Sequence, residues 1–361
     1  MAELLKVGVI GCGGIANGKH LPSIKENGLA EIVAVCDLIV ERAEKAKAEY
    51  GTPETRVYTD YKELLKEDLD AVFVCTPNRS HSEISVAALD SGKNVLCEKP
   101  MAINYEEAKK MLDAQKRSGK LLTIGYQGRQ RASHRYLKEI CDAGELGEIY
   151  FAQANALRRR GVPTWGVFLN EYEQGGGPLI DIGTHALDLT LWCMNNYKPK
   201  YAVGTAYHKL NNDTNTANPW GDWDPEKFSV EDSAFGFVVM ENGATIHVNA
   251  SWALNLANPE DGTTTLCGTK AGADLHDGVT INGVAHGRQY TTKPDLKAGG
   301  VDFFKGKGPS SPQAIENAIF LNAVKGEGEL CVLPEQAAVV TRILEAIYTS
   351  AKTGEPVYFN D

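Results

Sequence analysis

The chain has 361 residues, 43% of them hydrophobic, which is enough to bury a large core and to form two domains. A formal net charge of -10 argues against nucleic acid or an anionic membrane as a partner, and no apolar run is long enough to span a bilayer. The eight cysteines show no metal-ligand spacing, and the first strand follows Met1 too closely for a signal peptide. We therefore expect a cytoplasmic protein without a metal site.

Residues 1–124 alternate between short apolar strands and helices, which is the pattern of a doubly wound parallel sheet. The first strand, Val7–Ile10, leads into a glycine-rich turn that opens a helix. The turn matches G-x-G-x-x-A at Gly11, Gly13 and Ala16, which suit a tight turn, a close approach to pyrophosphate and close helix packing. By itself this pattern also fits a strand-to-helix turn that binds no ligand.

The following strand, Ile32–Cys36, ends in Asp37, where an acid can bond both ribose hydroxyls of NAD. Leu38 offers no partner for a 2′-phosphate, so NAD is favoured over NADP, although Arg42 keeps NADP as an alternative. We therefore expect a cofactor site at the N-terminus. The turn residues assigned to it are Gly11, Gly13, Gly14, Ile15 and Ala16.

Two further strands end in polar segments at the edge of the predicted sheet where ligands of doubly wound folds lie. One strand ends in Thr76-Pro77-Asn78, closely followed by His81, and the other ends in Glu98-Lys99-Pro100. Partial burial would lower the pKa of Lys99 and let it transfer a proton or polarise a hydroxyl. The alternative is an ordinary surface lysine in a loop.

From residue 125 to 361 the pattern changes to α+β, which predicts an open, largely antiparallel sheet with helices on one face. A long helix is predicted over Pro178–Met194, and a hairpin joins strands at 233–240 and 244–252. The segment 293–312 is predicted to be a long loop, and 211–227 is interpreted as an insertion. Its Trp220 and Trp223 would form either a substrate lid or an oligomer contact.

The long helix begins after Gly175-Gly176-Gly177 and carries Asp181 and His185. These two residues are four apart, so on an α-helix they share a face. A histidine oriented by a carboxylate suits the deprotonation of a hydroxyl, whereas the alternative is a plain surface pair.

Taken in order, these motifs resemble the glucose–fructose oxidoreductase / inositol dehydrogenase / rhizopine catabolism (Gfo/Idh/MocA) family over essentially the whole chain. The motifs are the Gly11/Gly13/Ala16 turn, Asp37, Thr76-Pro77-Asn78 with His81, Glu98-Lys99-Pro100 and Asp181-x-x-x-His185. The resemblance implies an N-terminal Rossmann domain (1–124) and a C-terminal domain (125–361) that binds substrate and forms homo-oligomers through its large sheet. It also implies NAD(P)-dependent chemistry on sugars or cyclitols.

The same resemblance implies roles for individual residues. Lys99 would polarise or deprotonate the reacting hydroxyl, and Asp181 and His185 would complete the proton-handling set. The Lys99–Pro100 bond is similar to one that is often cis in the family. The cofactor-binding residues outside the turn would be Asp37, Thr76, Pro77, Asn78, His81, Glu98 and Lys99.

The segment between a strand and the glycine-rich helix start is expected to bind substrate. Trp165 and Phe168 suit stacking on a pyranose ring while an arginine bonds hydroxyls or a carboxylate. Alternatively, Trp165 only packs and the arginines pair with acids. The substrate-binding residues would be Tyr126, Gln127, Arg158, Arg159, Trp165, Phe168, Asp181 and His185, with Arg129 beside the first two.

The sequence predicts an NAD-dependent dehydrogenase that reversibly oxidises a secondary ring hydroxyl of a sugar, glycoside or cyclitol. The most specific expectation is C3 of a glucoside, giving a 3-keto-glycoside. The alternatives are an NAD-dependent glycosidase, an inositol dehydrogenase and a non-enzymatic NAD-binding sugar sensor. Intact Lys99, Asp181 and His185 argue against the sensor, because a sensor needs no proton-transfer groups.

Overall fold

The computed structural model describes residues 4–213, 215–296 and 311–360, which form two compact units. Unit 1 takes the described residues of Met1–Ala102, Glu106–Gln130 and Ala298–Ala338. Unit 2 takes those of Ile103–Tyr105, Arg131–Lys297 and Val339–Asp361. The chain therefore passes between the units several times, whereas the sequence predicted a single boundary after residue 124.

The first 125 residues alternate between strands and helices, as predicted. A π-helical turn, Ala16–His20, precedes the first α-helix, and a 3-10 turn, Asn78–Ser80, precedes the fourth. The strands are β1 (Leu5–Ile10), β2 (Ala30–Cys36), β3 (Arg56–Tyr58), β4 (Ala71–Val74), β5 (Asn94–Glu98) and β6 (Leu122–Gly125). The helices are α1 (Leu21–Asn27), α2 (Val40–Tyr50), α3 (Tyr61–Leu64), α4 (His81–Asp90) and α5 (Tyr105–Ser118).

The rest of the chain carries longer strands and the longest helix. A second π-helical turn, Leu179–Gly183, precedes α8. The helices are α6 (Ala132–Asp142), α7 (Glu171–Gln174), α8 (Thr184–Met194), α9 (Pro312–Val324) and α10 (Pro334–Thr353). The strands are β7 (Ile149–Leu157), β8 (Pro199–Tyr207), β9 (Ser233–Met240), β10 (Thr245–Ser251), β11 (Glu260–Gly268), β12 (Ala271–Asp274), β13 (Thr280–Ala285), β14 (Arg288–Thr292) and β15 (Val357–Tyr358).

Unit 1 contains a six-stranded sheet in the order β3-β2-β1-β4-β5-β6, and every pairing in it is parallel. All four residues of β4 are buried, as expected for a parallel strand whose two faces are both covered by helices. The predicted doubly wound sheet is confirmed. Its strand ends bring the glycine turn, Asp37, Thr76 and Lys99 to one edge.

Helix α9 belongs to unit 1, although the sequence predicts that the residues after 124 form the second domain. Phe320 of α9 packs edge-on against Phe73 of β4, with ring centroids 5.6 Å apart, and Leu321 lies in the same core. Ser311 caps the helix by accepting a hydrogen bond from the Ala314 N–H at 3.1 Å. The domain assignment changes because burial of this apolar face, not position in the chain, decides where α9 packs.

Unit 2 contains a nine-stranded sheet in the order β14-β13-β12-β11-β7-β10-β9-β8-β15. Its pairings are antiparallel except for β7 with β10, which confirms the predicted mostly antiparallel sheet. Helix α8 packs on β7 and β11. Ile347 of α10 packs where Gly204 and Gly236 leave room for it, since a Cβ at either glycine would collide with its side chain.

Several elements differ from the sequence prediction. Strands β3, β8, β14 and β15 were not foreseen, and the first six residues of the predicted Pro178–Met194 helix form the N-cap and a π-helix. Most of the predicted loop 293–312 lies outside the described residues. Within the described ranges, no helix is both long and apolar enough to cross a membrane.

Candidate active site

The turn after β1 has the geometry that a diphosphate needs. Gly11 has a φ of 90°, and a Cβ there would lie 2.6 Å from the carbonyl oxygen of Cys75, so only glycine fits. Gly13 and Gly14 border open space, because an added Cβ at either would meet no atom within 4 Å. Ile15 is half-buried and Ala16 is fully buried at the start of the π-helix. Backbone N–H groups at such a helix start suit an anionic ligand.

Asp37, at the end of β2, holds the turn in place. One carboxylate oxygen accepts a hydrogen bond from the Cys12 N–H at 2.8 Å, and the other accepts one from the Ile39 N–H at 2.9 Å. Each oxygen keeps a further lone pair for a ribose hydroxyl. The next residue, Leu38, is 91% exposed and presents an apolar side chain where an NADP enzyme needs a cation. These residues fit a nicotinamide dinucleotide.

His81 joins the segments that follow β4 and β5. Its Nε2 lies 2.8 Å from the Thr76 carbonyl oxygen and its Nδ1 lies 2.7 Å from the Pro100 carbonyl oxygen. Burial lowers the pKa of His81, although two carbonyl acceptors favour the protonated ring. Because His81 is only 1% exposed, it joins these two segments from inside unit 1. Of the neighbouring residues, Pro77 is exposed and Asn78 is buried.

Glu98 is the buried anchor of the Lys99 segment. Its Oε1 lies 2.8 Å from Nε2 of His20, and its Oε2 accepts a hydrogen bond from the Lys99 N–H at 3.1 Å. His20 is fully buried on the π-helix after the glycine turn, and its Nδ1 contacts Oδ1 of Asn317 at 3.0 Å. The Lys99–Pro100 bond is cis, as the family resemblance implied. The backbone of the half-buried Lys99 is therefore connected through the Glu98 carboxylate to His20, on the π-helix that follows the glycine turn.

The three residues beyond β6 differ in their surroundings. Tyr126 and Arg129 are both only 1% exposed, and Nη1 of Arg129 donates to the Cys331 carbonyl at 2.9 Å and to Gln336 at 2.8 Å. These bonds keep the Arg129 guanidinium buried inside unit 1. Gln127 is half-buried, and its buried side-chain oxygen has no partner among the described atoms, which suits an acceptor for a ligand.

In unit 2, Asp181 and His185 lie on the segment that follows the three glycines. Asp181 is in the π-helix, His185 is in the first turn of α8, and both are half-buried. The indole N–H of Trp252 donates to Oδ2 of Asp181 at 3.1 Å. Gly183 allows close packing on β10, because a Cβ there would lie 3.0 Å from the Ala250 methyl. A carboxylate thus stands near the helix turn that bears a histidine, as acid–base chemistry requires.

Glu231 caps the start of this segment from the interior. Its carboxylate accepts hydrogen bonds from the Gly177 N–H at 2.7 Å, the Leu179 N–H at 3.2 Å and the Tyr348 hydroxyl at 2.8 Å. A Cβ at Gly176 would collide with the Tyr348 hydroxyl, and one at Gly177 with the Glu231 carbonyl. Burial raises the pKa of Glu231 to about 7 against the effect of these donors. The glycines therefore make room for the cap.

The predicted substrate segment is organised around aromatic rings. Trp165 packs edge-on against Phe168 and against Trp220, with ring centroids 5.9 Å and 5.0 Å apart. Arg158 donates to Asp261 at 2.7 Å and lies over the Trp220 ring at 5.6 Å, while Arg159 is exposed. The structure therefore supports both sequence-based alternatives in part: one arginine pairs with an acid, and the aromatic rings remain accessible.

The predicted site residues are divided between the two units. The unit 1 group lies at the strand ends and contains Gly11, Gly13, Gly14, Asp37, Thr76, Pro77, Asn78, Glu98 and Lys99. The unit 2 group contains Arg158, Arg159, Trp165, Phe168, Asp181 and His185. Within the described part of the chain, no group of three or more His, Cys, Asp or Glu side chains could hold a metal ion.

Five residues of functional interest were not singled out from the sequence: His20, Glu231, Trp252, Asn317 and Tyr348. His20 had one usable signal, a histidine at a position that the helix after the glycine turn should bury. The others act through contacts with residues far away in the chain, such as the 54 positions between Gly177 and Glu231. Such contacts leave no local pattern.

Two family models match the chain. The first, described as the oxidoreductase family with an NAD-binding Rossmann fold, matches residues 5–126. The second, the GFO/IDH/MocA C-terminal domain, matches residues 134–274.

Similar proteins extend these matches to the full length. The D-glucoside 3-dehydrogenase of Escherichia coli (strain K12) is 35% identical over 357 residues, which cover 98% of this chain and 97% of that protein. The inositol 2-dehydrogenase of Salmonella typhimurium is 32% identical over 54% of this chain and 56% of its own length. A structure of levoglucosan dehydrogenase in complex with NADH superposes with a TM-score of 0.80 at 21% identity over 99% of each chain, which shows the shared fold.

Proposed function

Because the chain belongs to the GFO/IDH/MocA oxidoreductase family, we propose that it oxidises C3 of a glucoside to a 3-keto-glycoside, reversibly and with NAD as the acceptor. At the family level it is an NAD(P)-dependent oxidoreductase that acts on CH–OH groups of sugars or cyclitols. The observation that carries the finer proposal is the similarity to a D-glucoside 3-dehydrogenase over nearly the whole of both chains. The match to inositol 2-dehydrogenase covers about half of each chain and ranks inositol second.

A bound nicotinamide cofactor would supply the hydride acceptor for the oxidation of the substrate carbon. The chain supplies the binding and the proton transfer. Gly11, Gly13 and Gly14 hold the diphosphate at the helix start, and Asp37 bonds the adenosine ribose. The exposed apolar Leu38 beside Asp37 supports NAD over NADP.

Lys99, Asp181 and His185 are the proposed proton-handling residues. Lys99 polarises the reacting hydroxyl, and its backbone position is held by Glu98. His185 takes the hydroxyl proton with the help of the Asp181 carboxylate, whose orientation is set by the Trp252 indole. An ammonium and a carboxylate at these positions stabilise the alkoxide and the imidazolium that form as the hydride leaves.

The test is a product-resolved substrate screen. Methyl β-glucoside, glucose and myo-inositol are incubated with NAD or NADP, NADH absorbance is followed, and the keto product is identified by mass spectrometry. We expect a 3-keto-glucoside with NAD. Sugar release without net NADH would instead indicate the NAD-dependent glycosidase, and a keto-inositol alone would indicate the inositol dehydrogenase.

The catalytic assignment is tested by Lys99→Ala, which should lower kcat at least about a hundredfold, the contribution typical of a proton-transfer group. Lys116→Ala, which removes an exposed lysine of α5 outside the proposed site, is the matched charge control. Unchanged turnover in Lys99→Ala on every accepted sugar would overturn the assignment. If the unmodified protein binds NAD but turns over no sugar, the result would favour the non-enzymatic NAD-binding sensor.

We also propose a homo-oligomer that forms through the nine-stranded sheet of unit 2. One face of this sheet carries half-buried aromatic side chains, including Phe151 and Phe237, which pack on His247 with ring centroids 5.1 Å and 5.4 Å away. Light scattering of the full chain and of Phe237→Glu tests this, because a charge on the contact face should dissociate the oligomer.

All eight cysteines are free thiols, which supports the proposal of a reducing, cytoplasmic location.

A further inference from the structure

The segment that the sequence suggested as an insertion completes an exposed aromatic cluster in unit 2. We call the rings of Trp165, Phe168 and Trp220 the aromatic corner. The Trp165 and Trp220 rings meet at 84° with centroids 5.0 Å apart, yet they remain 52% and 46% exposed. Trp223 of the same segment is different: it is buried, and its indole N–H donates to the Asn211 carbonyl at 2.9 Å. Only Trp220 of the pair therefore remains available to a ligand.

Hydrogen bonds hold the corner in a fixed shape. The Thr164 hydroxyl donates to the Trp220 carbonyl at 2.6 Å. The Asn218 side chain accepts from the Val162 N–H and donates to the Val162 carbonyl, both at 3.0 Å. Arg160 donates to the Thr216 carbonyl at 3.1 Å. Because these bonds join two segments 56 positions apart, the rings are preorganised and little entropy is lost when a ligand stacks on them.

Cations border the rings. The Arg158 guanidinium lies 5.6 Å from the centre of the Trp220 ring and is oriented by Asp261 at 2.7 Å and by the Gly161 carbonyl at 3.2 Å. The exposed Arg159 side chain has no partner among the described residues. Flat apolar faces beside fixed N–H donors suit a ring that carries hydroxyl groups, because its C–H face stacks while its oxygens accept hydrogen bonds.

The backbone places the corner beside the segment that holds Asp181. The Arg158 N–H donates to the Ser251 carbonyl at 2.9 Å, and Arg160 forms a β-bridge with Ala253. Trp252, which lies between Ser251 and Ala253 in the chain, donates its indole N–H to Oδ2 of Asp181 at 3.1 Å. The corner therefore adjoins the backbone segment of Trp252, and the side chain of Trp252 binds the proposed proton-handling carboxylate of Asp181.

The exposed area favours a small molecule over a second protein. Two half-exposed tryptophans present roughly 200–250 Å², whereas a stable protein interface buries about 800 Å² per partner. An area of this size matches one pyranose or aryl ring.

We propose that the aromatic corner is the subsite for the group attached to the oxidised glucose, an aryl aglycone or a second pyranose. This inference rests on the proposed function and adds a substrate class to it: glycosides with a ring-shaped aglycone. The corner selects them by stacking on Trp165 and Trp220, and Arg158 and Arg159 bind the hydroxyls of that second ring.

The experiment compares methyl β-glucoside with nitrophenyl β-glucoside and cellobiose in the full chain and in Trp220→Ala. We expect KM for the two larger glycosides to rise about tenfold, which corresponds to about 1.4 kcal/mol, because the variant loses a stacked ring. KM for methyl β-glucoside and all kcat values should stay unchanged. Trp220→Phe keeps a flat ring and should retain most of the affinity. Tyr150→Ala, which removes a 54% exposed ring on β7, is the matched control and should change nothing.

The outcomes separate the two proposals. If the unmodified enzyme oxidises no glucoside, the proposed function fails and the subsite fails with it. If it oxidises all three glycosides but Trp220→Ala changes every KM equally or none, only the subsite is overturned. A changed oligomeric state with unchanged KM would likewise overturn it and would identify the corner as a contact between copies.

Discussion

The buried carboxyl of Glu231 predicts a loss of stability as pH rises through neutrality. Three donors around it favour the charged form, and burial favours the neutral form. Burial is the larger effect, so the pKa of Glu231 rises from an ordinary 4.5 to about 7. Replacing the carboxyl by a neutral amide of the same shape, Glu231→Gln, should remove this pH dependence.

The magnitude follows from the pKa difference between the folded and unfolded chains. Below pH 4.5 the Glu231 carboxyl is protonated in both states, so it contributes no pH-dependent penalty. Between 4.5 and about 7 the folded state binds more protons than the unfolded state, and stability falls as pH rises. At 1.36 kcal/mol for each unit of pKa, the penalty for ionised Glu231 reaches about 3 kcal/mol above pH 7. The neutral glutamine carries no such penalty.

The assay is urea unfolding between pH 5 and pH 8, followed by tryptophan fluorescence. All five tryptophans belong to unit 2, so the signal reports the unit that contains Glu231. We expect the difference in unfolding free energy between Glu231→Gln and the unmodified chain to shift by up to about 3 kcal/mol in favour of the variant across this range. Exposed Glu226→Gln is the matched control and should follow the unmodified chain. A flat difference, or one of opposite sign, would refute the reasoning, because the donors would then outweigh burial.

Two further predictions concern unit 1. His20→Leu leaves the Glu98 carboxylate buried without its ring partner, so unit 1 should lose about 3 kcal/mol of stability and kcat should fall, with partial recovery in His20→Gln. Urea unfolding and initial rates measure both effects, and full activity in His20→Leu would show that Glu98 needs no partner. Asp37→Ala should weaken NADH binding at least tenfold, about 1.4 kcal/mol. It should weaken NADPH binding less, because the proposed partner of the carboxylate is the ribose 2′-hydroxyl, which is replaced by a phosphate in NADPH. Fluorescence titration checks this, and equal weakening of both would contradict it.

The parallel sheet was predictable from the sequence because its strands are buried on both faces. Such strands appear as continuous apolar runs, as in β4, and their ends are marked by turn residues or by Asp37. Strand β3 was missed because it is three residues long and partly exposed. Strand β8 begins with Pro199 and Lys200 and has no clean alternation of polar and apolar residues. Local patterns could not predict the order of the nine-stranded sheet either, because β7 and β10 pair although they are far apart in the sequence.

The candidate site shows the same contrast between features with a local sequence pattern and features that depend on remote contacts. The site residues predicted from the sequence all belong to compact motifs, whose members lie close together in the chain. The residues that hold those motifs were missed: Asn317 contacts His20 across 297 positions, and Tyr348 reaches Glu231 across 117. A hydrogen bond between remote residues constrains each partner only to be polar and buried. One sequence contains many such residues, so the pairing cannot be read from it.

The helix type inside one motif differs from the one that the sequence prediction assumed. The prediction that Asp181 and His185 share a face assumed 3.6 residues per turn, but Leu179–Gly183 is a π-helix, whose wider turn rotates each following side chain. The other π-helix, Ala16–His20, also follows a glycine-rich turn and also carries a buried functional side chain, His20. In both places interior contacts hold the widened turn: Glu98 binds His20, and Trp252 binds Asp181. A π-helical turn is rare and is frequently found at functional sites. Its presence in both units, next to the predicted cofactor and proton-transfer residues, is physical support for those assignments that spacing in the sequence alone does not provide.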